Sequence, residues 1–359
     1  MKTLVAGWFS FEGCNVTAGD LMARDLTCAW LEEAGFPYDI ALAKPFVGGV
    51  DWKTIDPTDY PQVVFVCGPF PLDTYTKGFV ERFNHCRLVG LDLSMLESPD
   101  VWNPFDILIE RDSSRCSNPD ITFLCKDKKV PVVGLILVHP QVEYGERSKH
   151  HLAYDAIQSF ISSHEMVVVP IDTGLDPNTT NLRNSVELES LIARMDLVIT
   201  TRLHGTALSI KNGVPVIAID AIAGGAKVSQ QAKAIGWDIC LTIDQLSDDT
   251  LQHAFDYCLT QDARLKVERC RLNAVQKVEA VKDKFISLVT NPNTPSERTA
   301  SSEANEKLES LSNKWTLLKR QMELKKYEVK GNIRQWFFKK LYRPQDNKWI
   351  AENRSIFNK

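Results

Sequence analysis

Two residues that could bind an anion and move a proton, Arg202 and His204, lie where an apolar run that starts at Leu197 turns into a helical stretch. The free N–H groups at a helix start favour a phosphate or carboxylate, and Arg202 can add a planar two-point contact to it. In an extended chain, residues two apart face the same side, so His204 would exchange a proton beside the anion that Arg202 holds. This segment therefore predicts an anion site, with Gly205 and Thr206 at the helix start.

A second cation lies on a flexible, glycine-rich loop, residues 223–227, which follows the next apolar run at its carboxyl end, where ligand sites of α/β proteins gather. Lys227 is a candidate contact for a phosphate, and a solvated loop lysine is an equally good interpretation. For Arg202 and His204 the structural alternative is an ion pair or cap that holds the turn. The coincidence of strand end, helix start and Arg-x-His pair favours a function. Asp172, which follows another predicted strand, is interpreted as a cap or turn residue.

Short β-branched runs alternate with helical stretches from residue 3 to about residue 290, which predicts βαβ units around two parallel sheets. In the first half one helix has clear ends, because Asp20 can accept hydrogen bonds from its first N–H groups and Gly35 can close it in the left-handed conformation. The elements predicted there are strands Thr3 to Ala6, Val63 to Cys67, Arg87 to Leu91 and Asp106 to Ile109, and a helix from about Leu21 to Ala34.

A second series of elements begins after a polar stretch near residues 126–131. It comprises strands Val132 to Val138, Met166 to Val169, Leu197 to Thr200 and Val214 to Ile219, with helices Ser148 to Ser162, Leu182 to Met195 and a short one that ends at Lys211. We therefore expect an α/β fold with an N-terminal domain over residues 1–127 and a C-terminal domain over residues 128–290. A linker rich in Asn, Pro, Ser and Thr, residues 291–306, and a basic helical tail, residues 307–359, follow.

Charge and cysteine content narrow the class of protein. Of the 42 Lys and Arg and the 46 Asp and Glu, 14 and 7 lie from Ser301 onward, which leaves 28 basic and 39 acidic residues before it. So acidic a body argues against a nucleic-acid partner. The nine cysteines form no C-x-x-C pair, which fits a reducing compartment and no metal site. No secretory leader is recognised, and no apolar run is long enough to span a bilayer, so a cytoplasmic protein is expected.

The tail has two features whose interpretation stays open. One is a seam of apolar residues at alternating steps of three and four, which would suit self-association in a homo-oligomer or packing on the protein's own body. Its residues are Leu308, Leu311, Trp315, Leu318 and Met322. The other, residues 330–343, alternates aromatic and basic residues. That pattern suits peripheral contact with the anionic inner face of a membrane or, again, packing on the body.

The turn and the elements after it form a recognisable pattern: Arg202-Leu203-His204, then Gly213-Val214-Pro215-Val216-Ile217, then Lys227. This R-L-H turn, G-x-P-x-I strand and downstream lysine resemble the polysaccharide pyruvyl transferase family. Weaker resemblances extend the similarity to about residues 1–285. They are Asn15 with Gly19-Asp20, Glu110-Arg111-Asp112-Ser113-Ser114, and Asn118-Pro119-Asp120.

The resemblance implies a fold like that of the GT-B glycosyltransferases, in which two Rossmann-like domains face a cleft. It also implies phosphoenolpyruvate as donor and co-substrate, a sugar or lipid-linked oligosaccharide as acceptor, and neither cofactor nor metal. Protonation of the enol carbon would make its neighbour electrophilic, sugar hydroxyls would add there, and phosphate would leave to give a cyclic ketal.

Residue roles follow from the same resemblance. His204 would donate or accept the proton, Arg202 would hold the carboxylate or phosphate of the donor, and Lys227 would stabilise the leaving phosphate. The donor side would comprise Arg202, His204, Gly205, Thr206, Lys227 and Arg111, and the acceptor side Asn15 and Asp20.

Two other functions fit the same residues. A glycosyltransferase that uses a nucleotide sugar could hold its diphosphate at the same helix start. A non-catalytic glycan-binding or scaffold protein could use the heptad-like tail to recruit a partner. The R-L-H turn and the strand after it favour pyruvyl transfer.

Overall fold

The computed structural model describes residues 2–138, 142–176 and 178–291. Within these ranges the chain divides into two compact units, the first ending at Asp127 and the second starting at Lys128. The predicted tail and most of the predicted linker lie outside the described residues. No helix in the described part of the chain is both long and apolar enough to cross a membrane.

The first unit is built on a five-stranded parallel sheet with the strand order β2-β1-β3-β4-β5. The predicted strand at the N-terminus is confirmed, whereas β3 and β4 run several residues further than predicted. The strand β2 and the helix α2 were not predicted. The elements are β1 (Thr3–Ala6), α1 (Ala18–Glu33), β2 (Tyr38–Ile40), β3 (Gln62–Phe70), α2 (Thr74–Arg82), β4 (Arg87–Met95) and β5 (Ile107–Asp112).

The start of α1 corrects one prediction. Thr17, and not Asp20, is the N-cap, and its hydroxyl accepts a hydrogen bond from the Asp20 N–H. The Asp20 carboxylate in turn accepts from the Thr17 N–H and hydroxyl, each at 2.8 Å, which completes a capping box and starts the helix three residues earlier than predicted. At the other end Gly35 has φ of 74°, as predicted.

The second unit contains another five-stranded parallel sheet, with the strand order β10-β9-β8-β6-β7. Together the two sheets confirm the predicted pair of Rossmann-like α/β folds. The cleft between them stays a prediction. The elements are β6 (Val132–Ile136), α3 (His150–Ser163), β7 (Val167–Pro170), α4 (Ser185–Ile192), β8 (Leu197–Thr200), α5 (Leu203–Lys211), β9 (Val216–Asp220), α6 (Lys227–Ile235), β10 (Cys240–Thr242), α7 (Asp248–Cys258) and α8 (Gln261–Thr290).

Close packing of α5 on the centre of the second sheet depends on Gly205. The strands β8 and β9 are buried along their whole length, as expected for the middle of a parallel sheet covered on both faces. A Cβ atom at Gly205 would lie 2.1 Å from Oγ1 of Thr200 and 3.1 Å from Cγ2 of Ile136. The Thr200 hydroxyl cannot easily move, because it donates to the Ile136 carbonyl at 2.8 Å. Only glycine fits here.

We expect Gly205→Ala to destabilise the protein by about 1–3 kcal/mol, since overpacking a rigid core costs that much. Gly78→Ala is the matched control, because Gly78 is also helical but has no atom within 4 Å of an added Cβ. There the loss of backbone entropy in the unfolded chain should leave stability unchanged or raise it by about 0.5–1 kcal/mol. Urea unfolding of both variants checks the difference, and equal effects would contradict the packing argument.

Candidate functional site

The order of the second sheet reverses at its centre, and Arg202 lies at this point. The neighbouring strands β6 and β8 are followed by strands on opposite sides of the sheet: β6 leads to β7 at one edge, and β8 leads to β9 in the other direction. Such a reversal opens a crevice beyond the carboxyl ends of the two strands. Arg202 follows β8 by two residues and is the N-cap of α5. Its backbone N–H donates to the Thr200 hydroxyl at 3.0 Å. The predicted cation is therefore placed where ligands of parallel α/β sheets bind.

Contacts from two further strand ends fix the half-buried guanidinium of Arg202. Nε donates to the carbonyl of Leu137, which follows β6, and Nη1 donates to the hydroxyl of Thr173, which follows β7, both at 3.0 Å. Nη2 lies 3.6 Å from Oδ1 of Asp172. Each terminal nitrogen keeps an N–H without a hydrogen bond to the described residues. Burial lowers the pKa of Arg202 and the neighbouring carboxylate partly opposes this, but an arginine stays charged.

Asp172 is the counter-charge of this arginine, a role that the sequence did not reveal. Its carboxylate accepts from the N–H of Gly174 at 2.8 Å and from the N–H and hydroxyl of Thr179 at 3.1 and 2.8 Å. Burial alone would raise its pKa, but these hydrogen bonds and Arg202 together lower the pKa below its usual value. Asp172 is thus both the predicted turn residue and an ionised partner of Arg202. Its place just after a strand was the only available signal.

His204 is exposed in the first turn of α5. The argument that an extended chain puts Arg202 and His204 on one face is wrong, because only Arg202 is extended and the helix begins at Leu203. No described residue forms a hydrogen bond with the imidazole. An exposed imidazole at the mouth of a crevice is available to a ligand.

The other two residues at this turn serve the helix itself. The Thr206 side chain is buried and its hydroxyl donates to the Arg202 carbonyl at 3.2 Å, and Gly205 provides the close packing described above. The first helical hydrogen bond runs from the Thr206 N–H to the same carbonyl at 3.0 Å. The N–H groups of residues 203–205 precede it, so α5 can offer backbone donors to an anion.

The glycine-rich loop is held in place and is not flexible as predicted. The guanidinium of Arg147 donates to the carbonyls of Ala223 and Gly225 at 3.0 and 3.1 Å. Residues 147–149 also pair with residues 221–223 through backbone hydrogen bonds. These hydrogen bonds hold the loop in one position at the carboxyl end of β9.

Lys227 is the first residue of α6 and has a half-buried side chain. Its ammonium lies 5.7 Å from the ring centroid of Tyr144, within range of a cation–π interaction. The helix start beside it already binds an anion of the chain: Oδ2 of Asp220 accepts from the N–H of Ala226 at 2.7 Å and from the N–H and hydroxyl of Ser229 at 2.9 and 2.7 Å. A role for Lys227 in phosphate binding stays a prediction.

Arg111 lies in the first unit, at the end of β5, among carboxylates. It contacts Asp120 at 2.9 Å and Asp112 at 3.2 Å, and its Nη2 donates to the Ser94 hydroxyl at 2.6 Å. Burial would lower its pKa, but these acidic partners raise it. With its donors engaged, Arg111 fits a structural counter-ion better than the predicted contact to a phosphate.

A cluster of metal-ligand types surrounds the same arginine. Ligand atoms of Cys67, Asp92 and Asp120 lie within 4.8 Å of one another. Nη1 of Arg111 lies 3.7 Å from the first, 3.8 Å from the second and 2.9 Å from the third. The guanidinium thus already supplies the positive charge that a metal ion would bring.

The first unit contains a cavity of about 510 Å³, and neither of the two predicted acceptor residues, Asn15 and Asp20, is among its lining residues. Asn15 is exposed in the loop before α1, and Asp20 belongs to the capping box. Burial raises the pKa of Cys14, next to Asn15, and the charge of Asp73, which lines the cavity, raises it further. Trp102, which lines the cavity, stacks on Phe70 with 5.5 Å between the ring centroids. The lining residues are Leu72, Asp73, Thr74, Lys77, Val80, Glu81 and Trp102.

Residues 117–221 match the family model described as polysaccharide pyruvyl transferase. The match covers less than a third of the 359 residues and shows that this segment is similar to that family. It includes β6 to β9 together with Asp172, Arg202 and His204, so the pyruvyl transferase match confirms the resemblance for the part of the chain that forms the crevice. Lys227, Arg111, Asn15 and Asp20 lie outside it. No curated protein sequence matches the chain.

The chain is also similar to solved structures of sugar-modifying enzymes. The calicheamicin glycosyltransferase CalG4 is 13% identical with a TM-score of 0.32, over 81% of this chain and 99% of that one. The glycosyltransferase SnogD from Streptomyces nogalater is 13% identical with a TM-score of 0.28, over 79% and 99%. The UDP-GlcNAc 2-epimerase from Methanocaldococcus jannaschii is 9% identical with a TM-score of 0.28, over 73% and 94%.

We expect Asp172→Asn to lower the free energy of unfolding at pH 7 by about 1–3 kcal/mol, because a charged acceptor of several buried hydrogen bonds is lost. Since the folded pKa of Asp172 is depressed, its contribution is present above the unfolded value of about 3.9 and disappears as pH falls through the folded pKa. Urea unfolding at pH 7 and near pH 3 should show the gap between wild type and variant closing in acid. A gap independent of pH would contradict this assignment.

Proposed function

We propose that this protein transfers pyruvate from phosphoenolpyruvate to two hydroxyls of a sugar, which forms a cyclic ketal and releases phosphate. The observation that carries the proposal is the fixed Arg202 at the crevice. Its guanidinium keeps donors for an anion, and it lies inside the segment that matches the pyruvyl transferase family. The family match implies a transferase. The identities of the donor, phosphoenolpyruvate, and of the acceptor, a sugar, are what we propose beyond it.

Phosphoenolpyruvate has two anionic groups, a carboxylate and a phosphate. The crevice offers two kinds of hydrogen-bonding N–H group to bind them. Arg202 supplies a planar pair of N–H groups, which fits a carboxylate in two-point contact. The backbone N–H groups at the start of α5 suit the phosphate, and Lys227 is a further candidate contact to it. These N–H groups are held in fixed directions, unlike water molecules around a free anion, so phosphoenolpyruvate binds in a fixed orientation.

The chemistry needs one proton delivered to carbon and one leaving group. His204 donates a proton to the methylene carbon of the enol, which becomes a methyl group, and the adjacent carbon becomes electrophilic. A sugar hydroxyl adds to that carbon and returns a proton to His204. The C–O bond to phosphate breaks, and a second hydroxyl closes the ketal while its proton passes to the departing phosphate. Cationic groups around the phosphate stabilise the charge that it gains as it leaves.

The acceptor fits the cavity of the first unit. The indole of Trp102 can stack on the apolar face of a sugar ring, and the charged groups of Asp73, Lys77 and Glu81 can bond its hydroxyls. A free or lipid-linked glycan would extend from this shallow site into solvent. We assign Asn15 to the same acceptor side, while Asp20 shapes the helix beside it.

Titration calorimetry with phosphoenolpyruvate tests the donor site. Arg202→Ala should weaken binding on the order of 100-fold or more, because two hydrogen bonds to a charged group, each about 1.5–3 kcal/mol, are lost. His204→Gln should keep the affinity and lower kcat by about 10²–10⁴-fold, as expected for loss of a proton donor. Arg269→Ala, an exposed arginine on α8, is the control and should behave like wild type.

The same titration separates this proposal from its alternative. A protein that binds UDP-glucose but not phosphoenolpyruvate would be a nucleotide-sugar glycosyltransferase. Binding of neither donor would favour a non-catalytic glycan-binding protein. Thermal unfolding of each variant shows whether a loss of binding reflects the site or the fold.

Trp102→Ala should raise KM for the glycan acceptor by several-fold, because the contact between the indole and the apolar face of a sugar ring, which buries apolar surface, is lost. The affinity for phosphoenolpyruvate should not change. Phe123→Ala is the matched control, since this aromatic residue of the same unit is 85% exposed and does not line the cavity. Steady-state kinetics with the acceptor varied checks this, and an unchanged KM would place the acceptor elsewhere.

A further inference from the structure

The loop between β7 and α4, residues 171–184, carries two of the groups that hold Arg202. Asp172 lies 3.6 Å from Nη2 of the arginine, and the Thr173 hydroxyl accepts from Nη1 at 3.0 Å. All of this loop except residue 177 is described. Because β7 is the last strand in the order of its sheet, the loop after it needs hydrogen bonds of its own to keep one shape.

The side chain of Asn178 supplies those hydrogen bonds. Its amide nitrogen donates to the carbonyls of Asp172 at 2.8 Å and Gly174 at 2.6 Å. Its amide oxygen accepts from the Thr180 N–H, the Thr180 hydroxyl and the Leu182 N–H, each at 2.9 Å. These contacts connect the part of the loop that leaves β7 to the part that returns toward α4.

The contacts of Asn178 fix the chain on both sides of Thr173, which lies between the two residues whose carbonyls the amide binds. Thr180 adds a second link, because its hydroxyl accepts from the Asp172 N–H at 3.2 Å while it donates to the amide oxygen. The hydroxyl and the carboxylate that meet Arg202 therefore both owe their positions to one side chain.

Few side chains could take the place of this amide. The carbonyl partners can only accept and the N–H partners can only donate, so the position needs two donors and an acceptor on one short side chain. Aspartate would keep the acceptor, lose both donors and bring a negative charge against two carbonyl oxygens. Alanine would lose every one of these hydrogen bonds.

We infer that Asn178 is a positioning residue of the donor site. It sets the affinity for the donor through the places of Thr173 and Asp172 against the guanidinium of Arg202, and it does not touch the donor itself. The inference rests on the proposed function in that the anion at Arg202 is phosphoenolpyruvate. His204 belongs to α5 and not to this loop, so the loop governs binding of the anion and not the proton transfer.

Steady-state kinetics with phosphoenolpyruvate varied tests the role of Asn178. Asn178→Ala should raise KM for phosphoenolpyruvate by about tenfold or more, because a shift of about 1 Å in a positioned group costs that much, and kcat should stay nearly unchanged. A merely structural role gives the opposite split, since a smaller folded fraction lowers kcat and leaves KM as it was. That result would overturn the inference.

Asn212→Ala is the matched control. The amide of Asn212 is also half-buried and donates to a backbone carbonyl, that of Leu208 at 2.8 Å, but it lies at the end of α5 remote from Arg202. Its loss should lower stability and leave KM for phosphoenolpyruvate at the wild-type value.

Thr173→Val keeps the test decisive even where Asn178→Ala unfolds, because it removes the hydroxyl that meets Arg202 and leaves the amide contacts in place. It should weaken binding of phosphoenolpyruvate by about tenfold, as expected for a lost hydrogen bond to a charged group, whereas Thr173→Ser should bind like wild type. Residues that act along one path are not additive, so the double variant with Asn178→Ala should lose less than the product of the two single losses. Unchanged affinity in Thr173→Val, or a full product in the double variant, would overturn the inference.

Calorimetry with oxalate separates this inference from the proposed function. Oxalate is a planar dianion that the guanidinium of Arg202 can bind whether or not the protein uses phosphoenolpyruvate. A wild type that binds oxalate but not phosphoenolpyruvate would refute the proposed function alone. Asn178→Ala should then weaken oxalate binding by about tenfold, and equal affinities would overturn the positioning role. Binding of neither anion by the wild type would overturn both.

Discussion

The crevice of the second unit depends on a buried ion pair between Arg202 and Asp172. A guanidinium at this depth needs a counter-charge, and a buried carboxylate stays ionised only if it is well hydrogen-bonded. Gly174 and Thr179 supply those bonds, so the pair persists at neutral pH. Asp172 also helps to orient the guanidinium of Arg202, together with the hydrogen bonds to the Leu137 carbonyl and the Thr173 hydroxyl. The terminal N–H groups of Arg202 that form no hydrogen bond with the described residues are available to a ligand. The order of the strands places that ligand at the crevice.

Each unit has an arginine at the carboxyl edge of its sheet, but the charges around the two arginines differ. Ligand sites of parallel sheets arise at this edge. Arg111 is surrounded by three carboxylates within 3.8 Å, so an incoming anion would meet net negative charge. Arg202 has a single carboxylate at 3.6 Å and a helix start beside it. Of these two arginines, Arg202 therefore leaves more positive potential for an incoming anion.

The sequence predicted what local pattern controls. Apolar runs located most of the strands, and the turn at Arg202 was placed correctly because a strand end and a helix start coincide there. It could not show that Asp172 meets Arg202, since they lie 30 residues apart and meet only through the order of β6, β7 and β8. It missed the start of α1 because Thr17 and Asp20 are both good caps, and only the reciprocal bonding in the structure selects one. The carboxylate partners of Arg111 could not be predicted either, because they come from separate strands and loops, and its contact to a donor stays a prediction.

The carboxylate of Asp220 gives the second unit a property that affects every small ion near it. It occupies the start of α6 with three hydrogen bonds to Oδ2. An anion that is part of the chain cannot be washed out, diluted or displaced by competing phosphate. The start of α6 is therefore closed to diffusing anions, whereas the N–H groups of residues 203–205 at the start of α5 precede its first helical hydrogen bond and can face an external anion.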